Sequence, residues 1–291
     1  MQYPSSELVL DKKGQVYHLG ILPEHLATNV LLVGDQDRVA LISAFFDKIE
    51  HQSHHREFVC HTGTYQGKQI SVISTGIGTD NIDIVLNELD ALVNIDLENR
   101  CDRKELTSLN IIRIGTCGIL QADIPIHSYI LSSHACGLDN VAHFYDVKYT
   151  SDEKTLLEEM NVHLELPVKI QPYVVAANPE LVQKLKSDQT FEGITVTSSG
   201  FYGPQGRTLR LGLSTENLNE KLTSFREKND SRNLRVMNFE MESSALFIIG
   251  KNLGHACTTI CLGIANRPNL EFSKGYDEEM NGLIEYVLKR I

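Results

Sequence analysis

Short apolar runs that end in glycine-containing loops, each followed by an amphipathic segment, recur along the chain. Residues 29–33, 70–74 and 110–115 are such runs, and a glycine stands within or just after each of them. Runs this short are typical of buried strands, whereas apolar residues three and four positions apart are typical of helices. The alternation predicts an α/β fold with a largely parallel sheet and helices on both faces.

The rest of the chain continues the same pattern. It predicts helices at 38–47, 80–94, 240–252 and 277–290 and strands at 193–198 and 257–265. The polar stretch at 95–108 reads as a surface excursion, and the stretch at 146–168 fits neither element clearly. No repeat or low-complexity linker divides the 291 residues, so we expect one domain over 1–291.

Composition and charge exclude several classes of partner. The net charge of −11 disfavours binding to nucleic acid or to an anionic membrane surface. The first residues lack the apolar stretch of a signal peptide, and no apolar run approaches the ~20 residues of a membrane span. The six cysteines form no Cys-x-x-Cys pair. We therefore expect a cytoplasmic protein whose cysteines are mostly buried free thiols.

Two segments carry arginines suited to an anion. Gly34-Asp35-Gln36-Asp37-Arg38 follows the first strand and opens a helix, whose first amides favour negative charge. Arg113 interrupts an apolar strand, and a buried guanidinium requires a partner or a ligand. With the Thr116 hydroxyl, the two arginines would complete an oxyanion pocket. A capped helix with a solvated arginine, and an arginine paired to a structural carboxylate, are the alternatives.

The glycine-rich loop after the second strand does not indicate a nucleotide cofactor. Residues 74–79 read Ser-Thr-Gly-Ile-Gly-Thr, without the Gly-Lys-Ser/Thr of a phosphate loop and without Gly-x-Gly-x-x-Gly spacing. His51, His54 and His55 lack an Asp or Cys at metal-ligand spacing, so they indicate a polar surface strand. We expect no metal and no organic cofactor.

Two further segments suit a nucleoside. Phe201-Tyr202-Gly203-Pro204-Gln205-Gly206-Arg207 combines aromatic rings with Gln, which donates and accepts hydrogen bonds as a pyrimidine edge requires. Glu240-Met241-Glu242 opens a predicted helix. One acidic residue there complements the helix dipole, and a second would point inward, where a carboxylate suits a sugar diol. Alone, the first segment is consistent with any polar loop, whereas an ordinary helix start explains one glutamate of the second segment more easily than two.

Taken in order, these segments resemble the nucleoside phosphorylase family, and within it the enzymes that act on uridine. The matching motifs are Gly-Asp-Gln-Asp-Arg, Ser-Thr-Gly-Ile-Gly, Arg-Ile-Gly-Thr, Phe-Tyr-x-x-Gln-x-Arg and Phe-Glu-Met-Glu-Ser, and they lie between His18 and Arg267. The resemblance implies a three-layer αβα sandwich whose central mixed sheet is partly closed into a barrel. It also implies phosphorolysis of uridine to uracil and ribose 1-phosphate, with phosphate as co-substrate.

The resemblance assigns roles residue by residue. Arg113, Glu242, Gln205 and Arg207 would be catalytic; Gly34, Arg38, Arg56, Arg113 and Thr116 would bind phosphate; His18, Thr116, Met241 and Glu242 would bind ribose, with Glu240 nearby; Phe201, Gln205 and Arg207 would bind uracil. His18 and Arg56 would act on a neighbouring subunit, so the expected assembly is a homo-oligomer with shared sites. Glu57 and Ser74 match residues that hold a monovalent cation between subunits.

The sequence also departs from the family pattern. Thr79-Asp80-Asn81 stands where bacterial relatives commonly have Gly-Pro-Ser, and the excursion at 95–108 is longer than in compact bacterial enzymes. Two alternatives stay open: a purine nucleoside phosphorylase or nucleosidase, and a non-catalytic nucleoside-binding protein. Against the first, Asn266-Arg267-Pro268 offers no Asp after the late strand to protonate a purine ring. The choice between dimer and hexamer stays open, as does the choice among uridine, deoxyuridine and thymidine as the preferred substrate.

Overall fold

A computed structural model describes residues 2–228 and 233–291. The strands are β1 (Asn29–Val33), β2 (Lys48–His55), β3 (Phe58–Tyr65), β4 (Lys68–Ser74), β5 (Ile95–Asp96), β6 (Cys101–Asp102), β7 (Asn110–Ile119), β8 (Tyr129–Gly137), β9 (Tyr173–Ala176), β10 (Thr190–Thr197), β11 (Val236–Glu240), β12 (Ala256–Asn266) and β13 (Glu271–Phe272). The helices are α1 (Gln36–Ser43), α2 (Thr79–Asn94), α3 (Ser151–Leu164), α4 (Pro179–Leu185), α5 (Leu218–Ser224), α6 (Ser243–Leu253) and α7 (Asp277–Leu288).

One large sheet contains a closed ring of strands. β7 pairs in parallel with β12, β12 antiparallel with β8, β8 in parallel with β10, β10 in parallel with β11, and β11 antiparallel with β7. β1 pairs with the first residues of β7, Asn110 to Arg113, and an open arm continues from it through β4, β3 and β2. The expected mixed sheet, partly closed into a barrel, is therefore confirmed.

The sheet is less parallel than the alternation of strands and helices predicts. β2, β3 and β4 form an antiparallel meander, and the turn between the first two is only Arg56-Glu57. Arg56 takes a left-handed φ of 55° there. Because a two-residue turn reverses the chain without a helix, these strands cannot be parallel.

The core lies on both sides of this sheet. The apolar face of α2, including Ile82, Leu86 and Leu89, packs against α6, which is buried from Ser243 to Gly250, in the larger core. A second core joins α3 and α5 to the outer side of β10 and β11. No helix in residues 2–228 and 233–291 is long and apolar enough to cross a bilayer.

Most predicted elements are present, with shifted ends. The strands predicted at 29–33, 70–74, 110–115, 193–198 and 257–265 are β1, β4, β7, β10 and β12, and the histidine-rich segment 51–55 is part of the surface strand β2. The excursion at 95–108 contains the hairpin β5–β6, and the ambiguous stretch at 146–168 contains α3. All six cysteines are free, and Cys101 is half-buried while the others are buried.

Two helix predictions need correction. α1 begins at Gln36 and ends at Ser43 instead of spanning 38–47, because Asp35 caps its start and the chain then turns toward β2. Residues 238–240 do not open a helix. They belong to β11, whose five residues are all buried between β10 and β7, and α6 begins only at Ser243. The acidic pair therefore lies in a strand end and a turn.

Candidate active site

A cavity of about 800 Å³ opens at one end of the barrel. Carboxyl ends of parallel strands are the usual ligand sites of such sheets, and the loops after β1, β4 and β10 reach the cavity here. The predicted site residues that line it are Gly34, Arg38, Arg113, Thr116, Phe201, Gln205, Arg207, Glu240, Met241 and Glu242. The fold thus brings together residues from four separate segments of sequence.

Arg113 is the centre of a buried charge cluster. Its Nη2 donates to Glu242 Oε2, and its Nη1 lies 3.6 Å from Glu240 Oε2. Burial alone would lower the pKa of Arg113, but Glu242 and Glu240 raise it above the ordinary value. Arg113 is therefore paired with carboxylates, as the alternative interpretation predicts, and the same side chain also lines the cavity. Its Nε is buried without a partner in the described part of the chain.

The Glu242 carboxylate is held on both oxygens. Oε1 accepts a hydrogen bond from the main-chain amide of Gly78 at 2.9 Å, at the start of α2. Oε2 accepts from Arg113 and, at 3.3 Å, from the amide of Met241. A carboxylate anchored in this way has spare lone pairs at the cavity surface, which suits hydroxyl groups of a sugar.

Glu240 supports the turn from behind. Its Oε2 accepts from the amides of Glu242 and Ser243, both at 2.9 Å, and so caps the start of α6. Its Oε1 accepts from the hydroxyl of Thr197 at 2.5 Å. Burial raises the pKa of Glu240 to about 7, although Arg113 opposes that shift. The hydrogen bonds from Thr197 and from the amide of Glu242 oppose the rise as well, because they favour the charged carboxylate.

Arg38 has no acceptor in the described part of the chain. It is 8% exposed and lies in the first turns of α1, yet it forms neither a hydrogen bond nor an ion pair there. Burial, and then the charge of Arg113, lower its pKa. A buried guanidinium without a protein acceptor is costly unless an anion occupies the space in front of it.

The base end of the cavity is formed by the loop after β10. Arg207 lies 3.8 Å from the Phe201 ring centroid, and its Nη1 donates to the Phe201 carbonyl and to Gln205 Oε1. Burial, and then Arg267, lower the pKa of Arg207 to about 10. The Gln205 amide nitrogen is left free to donate, and one face of Phe201 is covered by the guanidinium.

His18 and Arg56 lie outside this cavity but close to each other. His18 Nδ1 lies 2.7 Å from Glu88 Oε1, and its carbonyl accepts from His55. Arg56 lies over the ring of Tyr17, the neighbour of His18 in sequence, at 5.4 Å. A single chain therefore presents both residues near each other, outside the lining of its cavity but beside Glu57, which belongs to that lining.

Glu57 and Ser74 are neighbours at the cavity edge. Glu57 lines the cavity, but it contacts Ser74 through its carbonyl, which accepts from the Ser74 hydroxyl at 2.6 Å. The same hydroxyl accepts from the amide of Val59 at 2.7 Å. No group of three or more His, Cys, Asp or Glu side chains suited to a metal ion is present in the described residues.

Several residues of the site escape the sequence reasoning. The Gly78 amide and the Thr197 hydroxyl hold the two glutamates, yet main-chain donors and strand threonines leave no local signal. Arg267 lies beside Arg207, and Asn219 lies between Arg267 and the Gln205 carbonyl. Ile264, Ala265 and Phe272 also line the cavity. Of these contacts, only the one made by the Gly78 amide lies in a segment with a recognisable sequence pattern, the glycine-rich loop before α2.

Comparison with known proteins agrees with this geometry. The phosphorylase superfamily model matches residues 28–287. A uridine phosphorylase of Thermococcus kodakarensis is 31% identical over 96% of this chain and 87% of its own, and a DeoD-type purine nucleoside phosphorylase of Brevibacillus brevis is 27% identical over 80% and 79%. A Trypanosoma brucei nucleoside phosphorylase, reported to show uridine phosphorylase activity, superposes with a TM-score of 0.91 at 31% identity over 98% and 99% of the two chains. The chain therefore belongs to the phosphorylase superfamily.

Proposed function

We propose that this protein is a pentosyltransferase that cleaves uridine with phosphate, giving uracil and ribose 1-phosphate. The observation that carries the proposal is Arg38, whose buried guanidinium has no acceptor within residues 2–228 and 233–291, in the same cavity as Glu242 and the Gln205–Arg207 pair. An anion site, a sugar-binding carboxylate and a base-binding amide in one cavity are the three elements that phosphorolysis of a nucleoside requires. The uridine phosphorylase activity of similar proteins supports the same assignment.

The phosphate would lie between Arg38 and Arg113. Gly34 and Thr116 line the same end of the cavity, where the glycine lets the main chain approach an anion closely. Bound there, phosphate is held beside C1′ of the sugar, which converts a bimolecular attack into a positioned one. Its charge also satisfies the otherwise unpaired Arg38.

The ribose would contact Met241 and Glu242. The glutamate accepts hydrogen bonds from the sugar hydroxyls while Gly78 and Arg113 hold its carboxylate in place. Cleavage of the glycosidic bond passes through an oxocarbenium-like sugar, whose positive charge a nearby carboxylate stabilises. Glu242 therefore supports both binding and the reaction.

The uracil would stack near Phe201 and receive hydrogen bonds from Gln205 and Arg207. Negative charge grows on the carbonyl oxygens of the base as it departs, and preorganised donors stabilise such charge by a few kcal/mol each. The site favours a pyrimidine over a purine at the end of β12. Asn266 there donates to the carbonyls of Gln121 and Ile124, and so serves the fold instead of protonating a ring.

The complete site would need two chains. His18 and Arg56 lie near each other, outside the lining of the chain's own cavity and close to its edge at Glu57. From there they would reach the ribose and phosphate of a neighbouring subunit in a homo-oligomer. A monovalent cation near Glu57 and Ser74 would belong to the same interface, and the cytoplasm remains the predicted compartment. Phosphate is a co-substrate, and no organic cofactor takes part in the proposed reaction.

The decisive experiment follows the uracil absorbance band with purified protein and uridine, with and without phosphate. Phosphate-dependent loss of uridine and appearance of uracil is the expected result. Cleavage without phosphate would identify a hydrolase instead. Cleavage of inosine or adenosine but not of uridine would overturn the assigned roles of Gln205 and Arg207 and leave the phosphate site in place.

A further inference from the structure

Thr197 is the last residue of β10 and lies behind the cavity, not in its lining. The side chain is completely buried. Its hydroxyl donates to Glu240 Oε1 at 2.5 Å and accepts from the amide of Ser244 at 2.9 Å. Since a hydroxyl has one proton, these two bonds determine its direction: the proton points at Glu240.

Glu240 therefore accepts three hydrogen bonds and faces one cation. The donors are the Thr197 hydroxyl and the amides of Glu242 and Ser243, and the cation is Arg113. Hydrogen bonds to a carboxylate favour its charged form, whereas burial disfavours that form. The Thr197 bond is the single side-chain hydrogen bond in this set, so a side-chain substitution removes it. The same substitution also takes the acceptor away from the Ser244 amide, which T195V and the Tm measurement control for.

The charged and titratable groups around Glu240 all influence whether its carboxyl is charged or protonated. Arg113 faces it from β7, Glu242 from the turn before α6, and Cys117 from the wall of the barrel. Asp139 lies one layer further out, where it accepts from the hydroxyls of Ser244 and Tyr173. Two carboxylates and one guanidinium are thus in mutual contact, and the start of α6 adds a partial positive charge.

We propose that Thr197 is a positioning residue, which keeps Glu240 charged and turned toward Arg113 and toward the main chain that carries Glu242. The inference deepens the proposed function, on which its kinetic consequences rest. In this arrangement Glu240 holds Arg113 at the phosphate end and fixes the Met241–Glu242 turn at the ribose end. A buried threonine that touches no ligand thereby controls both halves of the site.

The consequence is a defined pH dependence. Burial raises the pKa of Glu240 to about 7, and the hydrogen bond from Thr197 opposes this rise. Without that bond the pKa of Glu240 rises further, so the protonated form extends to higher pH. The loss of activity on the acidic side should then begin at a higher pH.

The test compares three variants of the full-length protein. T197V removes the hydroxyl at nearly constant volume, and T197S retains it. T195V is the matched control, because Thr195 lies two residues earlier in β10, is equally buried, and bonds to Asn238 and Ser132 instead of Glu240. The measurements are kcat for uridine over pH 5.5–9, the Kd of inorganic phosphate by titration calorimetry over the same range, and Tm.

We expect T197V to lower kcat at pH 7 by about tenfold, the effect of one lost hydrogen bond to a charged group. In T197V, the fall in kcat and in phosphate affinity on the acidic side of the pH profile should begin at a higher pH than in the wild type. T197S should keep wild-type profiles, and T195V should lower only Tm. A T197V protein with a lower Tm but unmoved pH profiles would overturn the proposal. Should the wild type fail to cleave uridine, the proposed function fails, and the pH profile of phosphate binding alone decides the role of Thr197.

Discussion

The main-chain amide of Gly78 donates a hydrogen bond of 2.9 Å to the carboxylate of Glu242, across 164 residues of sequence. The bond joins the start of α2 to the turn before α6, and these two helices also pack against each other. Together with Arg113 it holds both oxygens of Glu242. The carboxylate is therefore in position before any sugar binds, which reduces the reorganisation needed during the reaction.

Glu242→Gln should impair binding of the sugar and turnover together. The substituted amide group would place N–H donors against Arg113 or the Gly78 amide, so one anchoring hydrogen bond is lost and the side chain turns. We expect kcat/KM for uridine to fall by about 10²-fold. Steady-state kinetics test this, with Glu192→Gln as a control because Glu192 pairs with Lys186 away from the cavity. Unchanged kcat and KM would remove Glu242 from the sugar site.

Arg207→Ala should act on the base and not on phosphate. The Arg207 guanidinium lies over Phe201 and beside Gln205, at the end of the cavity away from Arg38. Loss of a donor to the departing uracil should lower kcat by about 10²-fold or more, with the phosphate Kd near normal. Arg235→Ala is the matched control, since Arg235 pairs with Asp123. Normal turnover in the Arg207 variant would contradict its role at the base.

Arg38→Ala should weaken phosphate binding without weakening the fold. Removal of a buried cation that has no protein acceptor relieves a cost, so Tm without phosphate should not fall. The phosphate Kd should rise by at least ~10-fold, and the phosphate-dependent rise in Tm should shrink accordingly. Thermal unfolding with and without phosphate measures both. Arg290→Ala is the control, because the Arg290 guanidinium lies over the ring of Tyr286 in α7. This variant should keep the full rise in Tm with phosphate.

Stability should depend on pH through Glu240. Burial raises the pKa of its carboxyl from 4.5 to about 7, so between these values the native state keeps a proton that the unfolded chain releases. The native state then binds more protons, and this group lowers the free energy of unfolding as pH rises from 4.5 to 7. At 1.36 kcal/mol per pKa unit the total is about 3 kcal/mol.

Urea denaturation of the wild type and Glu240→Gln at several pH values measures that contribution. The Gln side chain does not titrate, so the wild type should gain roughly 3 kcal/mol relative to the variant as pH falls from 7 to 4.5. A difference between the two proteins that stays constant with pH would show that Glu240 does not titrate in this window.

A shared active site should be visible by complementation. Arg56→Ala should be inactive alone because each chain then lacks the arginine that it contributes to the neighbouring subunit's site. Arg113→Ala should be inactive alone because each chain lacks an arginine of its own site. In randomly mixed dimers from co-expression, one site in each heterodimer is complete, so about a quarter of all sites should recover. Co-expression of Arg38→Ala with Arg113→Ala is the control, since both residues serve the same chain's cavity. Equal activity in the two mixtures would argue against sharing.

Much of this protein follows from local sequence. The apolar runs that became β1, β4, β7, β10 and β12 are recognisable because a buried strand needs an unbroken apolar segment. Arg113 stands out because it interrupts such a segment, and the Phe201–Arg207 loop because its residue types suit a base. Ten of the residues that line the cavity were accordingly predictable one by one, as were the chemical groups they bring.

The tertiary structure alone decided how these groups contact one another. Glu240 and Glu242 were predicted at a helix start, but pairing of β11 with β10 and β7 places them at a strand end and a turn. Periodicity reports which residues are buried, and it contains no information on which strands pair. Closure of the ring through β7 and β12, the bond between Gly78 and Glu242, and the support of Glu240 by Thr197 depend on contacts between distant segments. Such contacts exist only after the chain has folded, which is why the sequence identified the chemistry and the fold decided its geometry.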